Sequence, residues 1–392
     1  MKAGWTEVAL GEVATLDRTV VAPEDIADGT LYVGLEHIER GGRLRDVVAV
    51  SNGDVASSKF AFDATQILYG KLRPNLAKIA RPDFGGVCST DILPIDAGPR
   101  IDRGYLAHFL LRPQTVELAA RRATGANLPR LSPNQLTAIQ VPLPPLDEQR
   151  RIARVLDAAD ALQRRQEAAV ASLQVLRKSL FVAFMEPHQE DWPVVSVAEL
   201  VDPGRGGIRT GPFGSQLLHG EFVADGIAVL GIDNAVQNEF RWAGRRYVTE
   251  EKYDQLQRYT VHPGDVLITI MGTCGRAAVV PDDIGVAINT KHLCCISLDR
   301  GRCSPTFLHS YFLHDRTAQQ YLQARAKGAI MSGLNLGIIK QLPVTLPPIE
   351  AQRALEQRLE RVDALSRRIV RRGEDLDALF ASLRERAFAG TL

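Results

Sequence analysis

The chain repeats itself once, and that duplication limits what it can fold into. Trp5 with Val8, Leu10, Glu12 and Val13 returns 187 residues later as Trp192 with Val195, Val197, Glu199 and Leu200. Gln66-Ile67-Leu68-Tyr69 matches Asp265-Val266-Leu267-Ile268 at a spacing of 199. Tyr105-Leu106 and Phe109-Leu110 align with Phe307-Leu308 and Tyr311-Phe312, and both stretches run on to a Gly-Ala pair, Gly125-Ala126 or Gly328-Ala329. Leu143-Pro144-Pro145-Leu146 with Gln149-Arg150 recurs as Leu346-Pro347-Pro348-Ile349 with Gln352-Arg353 at a spacing of 203. The growing spacing means that the second copy carries loop insertions. Copies of about 190 residues are too long for stacked solenoid units. The expectation is two homologous α/β domains, mixed α+β in class, over 1–145 and 187–348, each with its own core.

A helix follows each Pro-Pro, where proline suits the first turn. Ile152, Val155, Ala159, Leu162, Gln166, Ala169, Leu173, Leu176, Leu180 and Ala183 step by three and four, a heptad seam. Leu355, Leu359, Val362, Ser366, Ile369, Gly373, Leu376, Phe380, Leu383 and Ala387 keep the same rhythm. Two seams of equal length predict an antiparallel coiled-coil pair, over 146–186 and 349–392. Each helix of about 40 residues is roughly 60 Å long. Small or polar seam residues, Gln166, Ser366 and Gly373, weaken such a pair but fix its register.

Composition narrows the class without naming it. With 45% hydrophobic residues the chain is no disordered polymer. Its start has no basic stretch followed by an apolar run, and no run of about 18 uncharged apolar residues occurs, so the expected location is the cytoplasm. The five cysteines are odd in number and lack the C-x2-C spacing of zinc sites, so reduced thiols are expected. His292 beside Cys294 and Cys295 leaves a small metal hypothesis open. A net charge of +1 excludes nucleic-acid binding by a whole-surface field. The positive charge rests mostly on arginine, whose planar fork suits phosphate and guanine edges.

No catalytic motif stands out. Neither Pro-Pro pair has the flanking residues of the Asn/Asp-Pro-Pro-Tyr/Phe turn of amino-methyltransferases. There is no G-x-x-x-x-G-K-S/T loop, no H-E-x-x-H helix and no deaminase-type zinc signature. Pro82-Asp83 and Pro281-Asp282 lack the acidic-x-Lys partner of metal nucleases and read as turns. No metal site is expected.

Over nearly its whole length the chain resembles the specificity subunits of type I restriction-modification systems. The likeness rests on the two-copy plan, on Pro144-Pro145-Leu146-Asp147-Glu148-Gln149-Arg150-Arg151-Ile152, and on Leu68-Tyr69-Gly70-Lys71-Leu72-Arg73-Pro74. In the second copy it rests on Gly211-Pro212-Phe213-Gly214-Ser215, Gly264-Asp265-Val266-Leu267-Ile268 and Gly272-Thr273-Cys274-Gly275-Arg276. The second helix start departs from the first, with Ala351 for Glu148 and Leu355 for Ile152. The resemblance implies a non-catalytic subunit whose two target-recognition domains, in a pseudo-twofold arrangement, each read half of a split site on double-stranded DNA. The helices would set the gap. Two methyltransferase subunits, and two restriction subunits in the full complex, would be its partners. It would bind no cofactor itself, S-adenosylmethionine, Mg and ATP belonging to those partners. Two other readings remain, a coiled-coil protein-interaction scaffold and a stand-alone DNA-modifying enzyme with an unrecognised site.

Sequence is read at base edges, while phosphate contacts position the protein. In the first domain Lys71, Arg73, Asn75 and Lys78 follow a strand, a set that suits guanine and adenine edges; the alternative is a solvated turn. Arg121, Arg122, Thr124 and Arg130 flank Gly125 in a second candidate loop, although Arg121 and Arg122 also suit a helix end. In the second domain Gly211, Phe213, Gly214 and Ser215 offer close backbone approach and a phosphate-binding hydroxyl; the alternative is a turn with Phe213 buried. Thr273, Arg276, Lys291, His292, Arg325 and Lys327 complete the set. Partner contacts are expected at Glu148, Gln149, Arg150, Gln352 and Arg353, the alternative being a network at the helix starts.

Overall fold

The computed structural model describes residues 4–188, 190–326 and 333–392. It divides into two compact units, Met1–Ala168 with Val370–Leu392, and Ala169–Ile369. The sequence sets the C-terminal helix apart from the first domain; in the structure its second half belongs to the first unit.

The first unit contains β1 (Thr6–Ala9), β2 (Ala14–Leu16), β3 (Val20–Val21), β4 (Thr30–Val33), β5 (Val48–Val50), β6 (Lys59–Phe62), β7 (Ile67–Gly70), β8 (Ile79–Ala80), β9 (Gly86–Cys88), β10 (Ile92–Ala97) and β11 (Gln140–Leu143). Its helices are α1 (Arg103–Leu110), α2 (Pro113–Arg122), α3 (Pro133–Thr137) and the first part of α4 (Leu146–Met185). An antiparallel sheet of order β2-β10-β7-β8 packs beside a sheet of order β3-β6-β9-β4-β5, in which β4 and β9 run parallel, and β1 pairs with β11. The unbroken apolar run at β7 is explained by burial on both faces. Ile67 and Tyr69 face the core built with α1 and the long helices, whereas Leu68 faces the second sheet with Val33, Phe62 and Cys88.

The second unit repeats the plan with β12 (Val194–Ser196), β13 (Ile208–Thr210), β14 (Ile227–Leu230), β15 (Tyr247–Val248), β16 (Thr260–Val261), β17 (Val266–Thr269), β18 (Ala277–Val279), β19 (Ala287–Asn289), β20 (Leu293–Ile296) and β21 (Pro343–Thr345). Its helices are the second part of α4, α5 (Glu250–Leu256), α6 (Pro305–His314), α7 (Arg316–Arg325), α8 (Leu336–Lys340) and the first half of α9 (Ile349–Ala389). The order β13-β20-β17-β18 matches β2-β10-β7-β8, and β15-β14-β19-β16, with β14 and β19 parallel, matches β5-β4-β9-β6. Among the described residues β3 has no counterpart in the second unit, and α5 has none in the first. The alternation recurs too, with Val266 and Ile268 in one core and Leu267 in the other.

Within each unit the long helices run against each other. In the first, Gln163 of α4 donates to Asp377 of α9, and a β-carbon at Gly373 would lie 1.6 Å from Nε2 of Gln166. The α4 number rises as the α9 number falls, which is the antiparallel sense. In the second, Arg177 meets Asp363 at 3.0 Å. Phe380, Ala387 and Phe388 of α9 enter the first core, where Phe388 lies 5.1 Å from Tyr105; Phe181 and Met185 of α4 enter the second.

The expected α9 seam is buried or half-buried at every position. On α4, Ile152, Val155, Ala159, Gln166, Ala169, Leu173 and Leu180 are buried or half-buried as expected, but three positions shift by one residue. Leu162 and Leu176 are 48% and 45% exposed, while Gln163 and Arg177 take the seam; Ala183 is likewise exposed beside a half-buried Phe184. The correction has a polar cause, since Gln163 and Arg177 find partners on α9 that no leucine there would use. Part of Leu146–Met185 is apolar enough to cross a membrane by length and composition, with a mean hydropathy of 1.4. Arg177 lies inside that stretch on the seam, and Phe181 and Met185 are core residues.

Candidate nucleic-acid interface

The two candidate loops of the first domain meet. Leu72 bridges to Arg130 and Arg130 to Thr124, in short antiparallel pairings. Arg73 stands in the left-handed region, φ 49°, and its guanidinium donates to the carbonyl of Asn127 at 3.3 Å. Arg130 grips Asp91 with two hydrogen bonds of 2.9 and 3.1 Å, and Lys71 lies 4.0 Å from the same carboxylate. The Arg130 hydrogen bond holds the Asp91 carboxyl below its usual range against the opposing effect of burial. Asn75 is exposed on the turn Pro74–Leu76, which packs against α2. Arg121 and Arg122 end that helix, Arg121 pairing with Glu117 at 2.5 Å and Arg122 reaching the Gln135 carbonyl at 3.4 Å.

Lys78 is half-buried, and its Nζ donates to the Leu35 carbonyl at 2.5 Å, which ties it to the β4–β5 connection.

The second unit builds the same junction with other side chains. Lys71 N–H donates to the Asp91 carbonyl, and Ile270 N–H to the His292 carbonyl; Leu131 N–H donates to Lys71, and Leu334 N–H to Ile270. Leu72 with Arg130 corresponds to Met271 with Gly333. One backbone frame thus carries Lys71, Asp91 and Arg130 in the first unit and Ile270, His292 and Gly333 in the second.

Gly211 is forced, because a β-carbon there would lie 2.0 Å from the Asn289 carbonyl. Phe213 is 50% exposed, so the reading that buries it is overturned; Gly214, φ 56°, and Ser215 are exposed beside it. This loop passes Asn289 and Thr290, next to half-buried Lys291 and His292. Burial, then Lys291 and Arg246, lowers the His292 pKa. Thr273 and Arg276 are exposed on a separate turn, whose carbonyls accept the Thr269 hydroxyl, and they border a cavity of about 300 Å³ with the end of α7. Arg325, on that end, stacks 3.7 Å from the Tyr321 ring. Lys327, Gly328 and Ala329 lie outside the described residues.

At the helix starts Gln149 and Gln352 are corrections. Both are fully buried, so neither offers a surface to a partner. Each is a latch inside its own unit. Gln149 donates to the carbonyls of Arg100 and Pro144 and accepts Asp102 N–H; Gln352 donates to Arg302 and Pro347 and accepts Ser304 N–H. Asp102 and Ser304 in turn cap α1 and α6. Arg150 and Arg353 are exposed, paired with Asp147 and Glu350. Glu148 holds Arg151 at 2.7 and 2.9 Å, and Arg151 also reaches the Leu392 carbonyl.

Two loops escaped the sequence reading. The β4–β5 connection carries Arg40, Arg43 and Arg45, and the β14–β15 connection carries Arg241, Trp242, Arg245 and Arg246. Trp242 is exposed, with Arg245 5.4 Å from its ring centroid. Arginines interleaved with an aromatic and a glycine were a signal available in the sequence.

Cys294 and Cys295 point to opposite faces of β20, into different cores. Burial pushes the Cys294 thiol up to about 12 and the Cys295 thiol well above its ordinary value. Among the described residues no group of three or more His, Cys, Asp or Glu is placed to hold a metal ion.

The family model for the type I restriction modification DNA specificity domain matches residues 2–171 and 226–372, most of both repeats. The chain belongs to this family. The type I restriction enzyme EcoDI specificity subunit of Escherichia coli is 29% identical over 194 residues, 48% of this chain and 43% of that relative. The chain's match therefore spans less than half of the EcoDI subunit. The MjaVIII specificity subunit of Methanocaldococcus jannaschii is 23% identical over 384 residues, 92% of this chain and 86% of its own length. A chain from a structure describing assembly and conformational transition of the type I R-M system superposes with a TM-score of 0.60 at 19% identity, covering 100% of this chain and 99% of that one. At that identity the likeness shows the fold. In this specificity-domain protein the family match thus spans both copies of the junction, the copy with Asp91 and the copy with His292.

Proposed function

We propose that this chain is the non-catalytic specificity subunit of a type I restriction-modification system, acting in the cytoplasm on double-stranded DNA with a split target. The observation that carries the reading is the duplicated junction of a specificity-family fold. One backbone frame with two side-chain sets is what a protein needs to read two different half-sites. Residues 1–145 and 187–348 serve as target-recognition domains, and the helices over 146–186 and 349–392 set the distance between half-sites. Two methyltransferase subunits are the partners, with restriction subunits joining the full complex, and they hold S-adenosylmethionine, Mg and ATP.

In the first domain Lys71, Arg73, Asn75, Thr124 and Arg130 face base edges, with Arg121 and Arg122 on phosphate. In the second, Gly211, Phe213, Gly214, Ser215, Lys291 and His292 form one patch, and Thr273, Arg276 and Arg325 another; Lys327 is assigned to DNA from the sequence alone. Glu148, Arg150 and Arg353 remain for the partner face. A net charge of +1 fits a reader whose partners neutralise much of the phosphate charge.

The test is methylome sequencing of a host expressing this chain with its methyltransferase subunit. The expected result is one two-part motif. Arg73→Ala should relax one half of it only, and deleting one helical turn from both helices should change the permitted gap. An undivided motif, or a gap indifferent to helix length, would refute the reading.

A further inference from the structure

In the first unit the loop between β4 and β5, the turn after β8, α1 and the long helices enclose a cavity of about 630 Å³. Six arginines line it: Arg43, Arg45, Arg81, Arg103, Arg164 and Arg384. Three carboxylates, Asp46, Asp83 and Asp160, line it as well, so cations outnumber them two to one. Part of that charge is internally matched. Arg164 holds Asp160 at 2.6 Å, and Arg81 shares Asp157 with His108. Arg43 meets Glu167 at 3.1 Å, and Arg45 meets Glu39 at 3.0 Å.

Among the described residues the remainder shows no ion pair, with Asp63 and Asp83 acting on Arg103, and Asp160 on Arg384, only from a distance. Arg103 gives one amino group to the carbonyls of Gln66 and Pro82 at 2.9 and 2.7 Å, and its buried Nε has no acceptor. The Arg384 guanidinium lies 4.4 Å from the Phe380 ring centroid, again with a buried Nε lacking an acceptor. His108, 4% exposed, has an unpartnered Nδ1. Burial, then repulsion from Arg81, pulls Arg103 below the ordinary arginine range, and burial does the same to Arg384. Groups so placed gain from a negative counter-charge.

The second unit repeats the place with less charge. Asp363 and Arg367 stand 203 residues on from Asp160 and Arg164, and with the 237–241 stretch and His309 they border a cavity of about 480 Å³. The cavity therefore comes with the fold, and the first unit lines it with six arginines where the second has three, Arg177, Arg241 and Arg367.

We propose that the first-unit cavity binds a phosphate-class oxyanion through Arg384 and Arg103, with Arg45 giving up its weak, solvent-exposed pair with Glu39 to join them. Guanidinium forks match tetrahedral oxyanions bidentately, and fixed arginines select them over chloride. The anion is either a free phosphate compound or a backbone phosphate of DNA, and the site stands whether or not the chain reads sequence.

The experiment is calorimetric titration of the full-length chain with sodium pyrophosphate, against sodium chloride at equal ionic strength. Saturable one-to-one binding is expected, weakened at least tenfold in the Arg384→Gln/Arg45→Gln double variant and unaltered in the second-unit control Arg367→Gln. Arg384→Lys, which keeps charge and loses the fork, should fall between; circular dichroism verifies that each variant is folded. No saturable heat with the wild-type chain, or an equal loss in Arg367→Gln, overturns the proposal. A parallel titration with a duplex separates the sources. A free anion leaves duplex affinity intact in the double variant, whereas a backbone phosphate makes pyrophosphate compete with duplex and the variant lose affinity for both.

Discussion

The side-chain oxygen of Gln149 accepts the backbone N–H of Asp102 at 2.8 Å and so ties the start of a long helix to the cap of a short one. The same amide donates to the carbonyls of Arg100 and Pro144 at 3.0 and 2.8 Å. Gln149→Leu strands one N–H and two carbonyls; at about 1–3 kcal/mol per buried unsatisfied group, with some relaxation, a loss of about 2–4 kcal/mol is expected. Gln352→Leu should cost the second unit a similar amount. Urea unfolding of the free chain checks this, and a change under about 0.5 kcal/mol in both variants would remove the latch role.

Gly373 sits mid-helix, where glycine costs roughly 1 kcal/mol against alanine. The space its β-carbon would need is filled by the Gln166 amide, 1.6 Å away. The amide is the far end of a flexible side chain and can swing aside, so Gly373→Ala alone should gain less than the propensity difference of roughly 1 kcal/mol, and Gln166→Ala/Gly373→Ala should show the gain in full. A double-mutant cycle with a coupling energy near zero would mean that the two positions do not share that space.

The shifted α4 seam makes an opposing pair of predictions. Leu162→Gln and Leu176→Gln replace exposed leucines and should change stability by less than about 0.5 kcal/mol. Arg177→Ala removes the partner of half-buried Asp363 and should cost about 1–3 kcal/mol. Thermal unfolding of the three variants decides between the apolar register and the observed one.

That contrast also shows what is legible in the sequence. The duplication predicted paired domains because repeated apolar runs, Ile67 to Tyr69 and Val266 to Ile268, need equivalent cores. The α9 seam was readable since its small and polar members, Ser366 and Gly373, alternate with clear apolar ones. On α4 two leucines stood one residue from polar seam positions, and only the facing carboxylates, Asp377 and Asp363, favour Gln163 and Arg177. The site was less legible for the same reason. Asp91 meets Arg130 across 39 residues of chain while also facing Lys71, and Gln149 carries no local sign that Asp102 and Arg100 will claim its amide.

Acid should weaken the second unit in a defined window. Burial, followed by Arg177, pushes the pKa of both His309 and His314 down to about 4, and neutral His309 Nε2 faces the carbonyls of Asn238 and Ala277. Between that value and the unfolded 6.5 the unfolded chain binds protons that the folded unit does not. Stability held above pH 6.5 is therefore lost as pH falls towards 4, by about 3 kcal/mol for one group so shifted. His309→Gln retains a donor and cannot titrate. Urea unfolding at a series of pH values should show a flatter profile for it, and an identical profile would place the acid sensitivity elsewhere.

Asp91 offers the sharpest test of the first-domain junction. Its carboxylate matches Arg130 and Lys71, whereas the second unit has His292 at the equivalent strand start. Asp91→Asn leaves both cations without a counter-charge. If they face DNA, affinity for non-target duplex should rise, and log K against log salt should steepen by about one to two, since each freed cation displaces roughly one counterion from the duplex. In the methylome the half of the motif read by the first domain should degenerate while the other half stays intact. An unchanged salt slope with a lowered melting temperature would instead assign Asp91 to the fold alone, because a carboxylate that only braces a turn has no bearing on how many phosphates the surface meets.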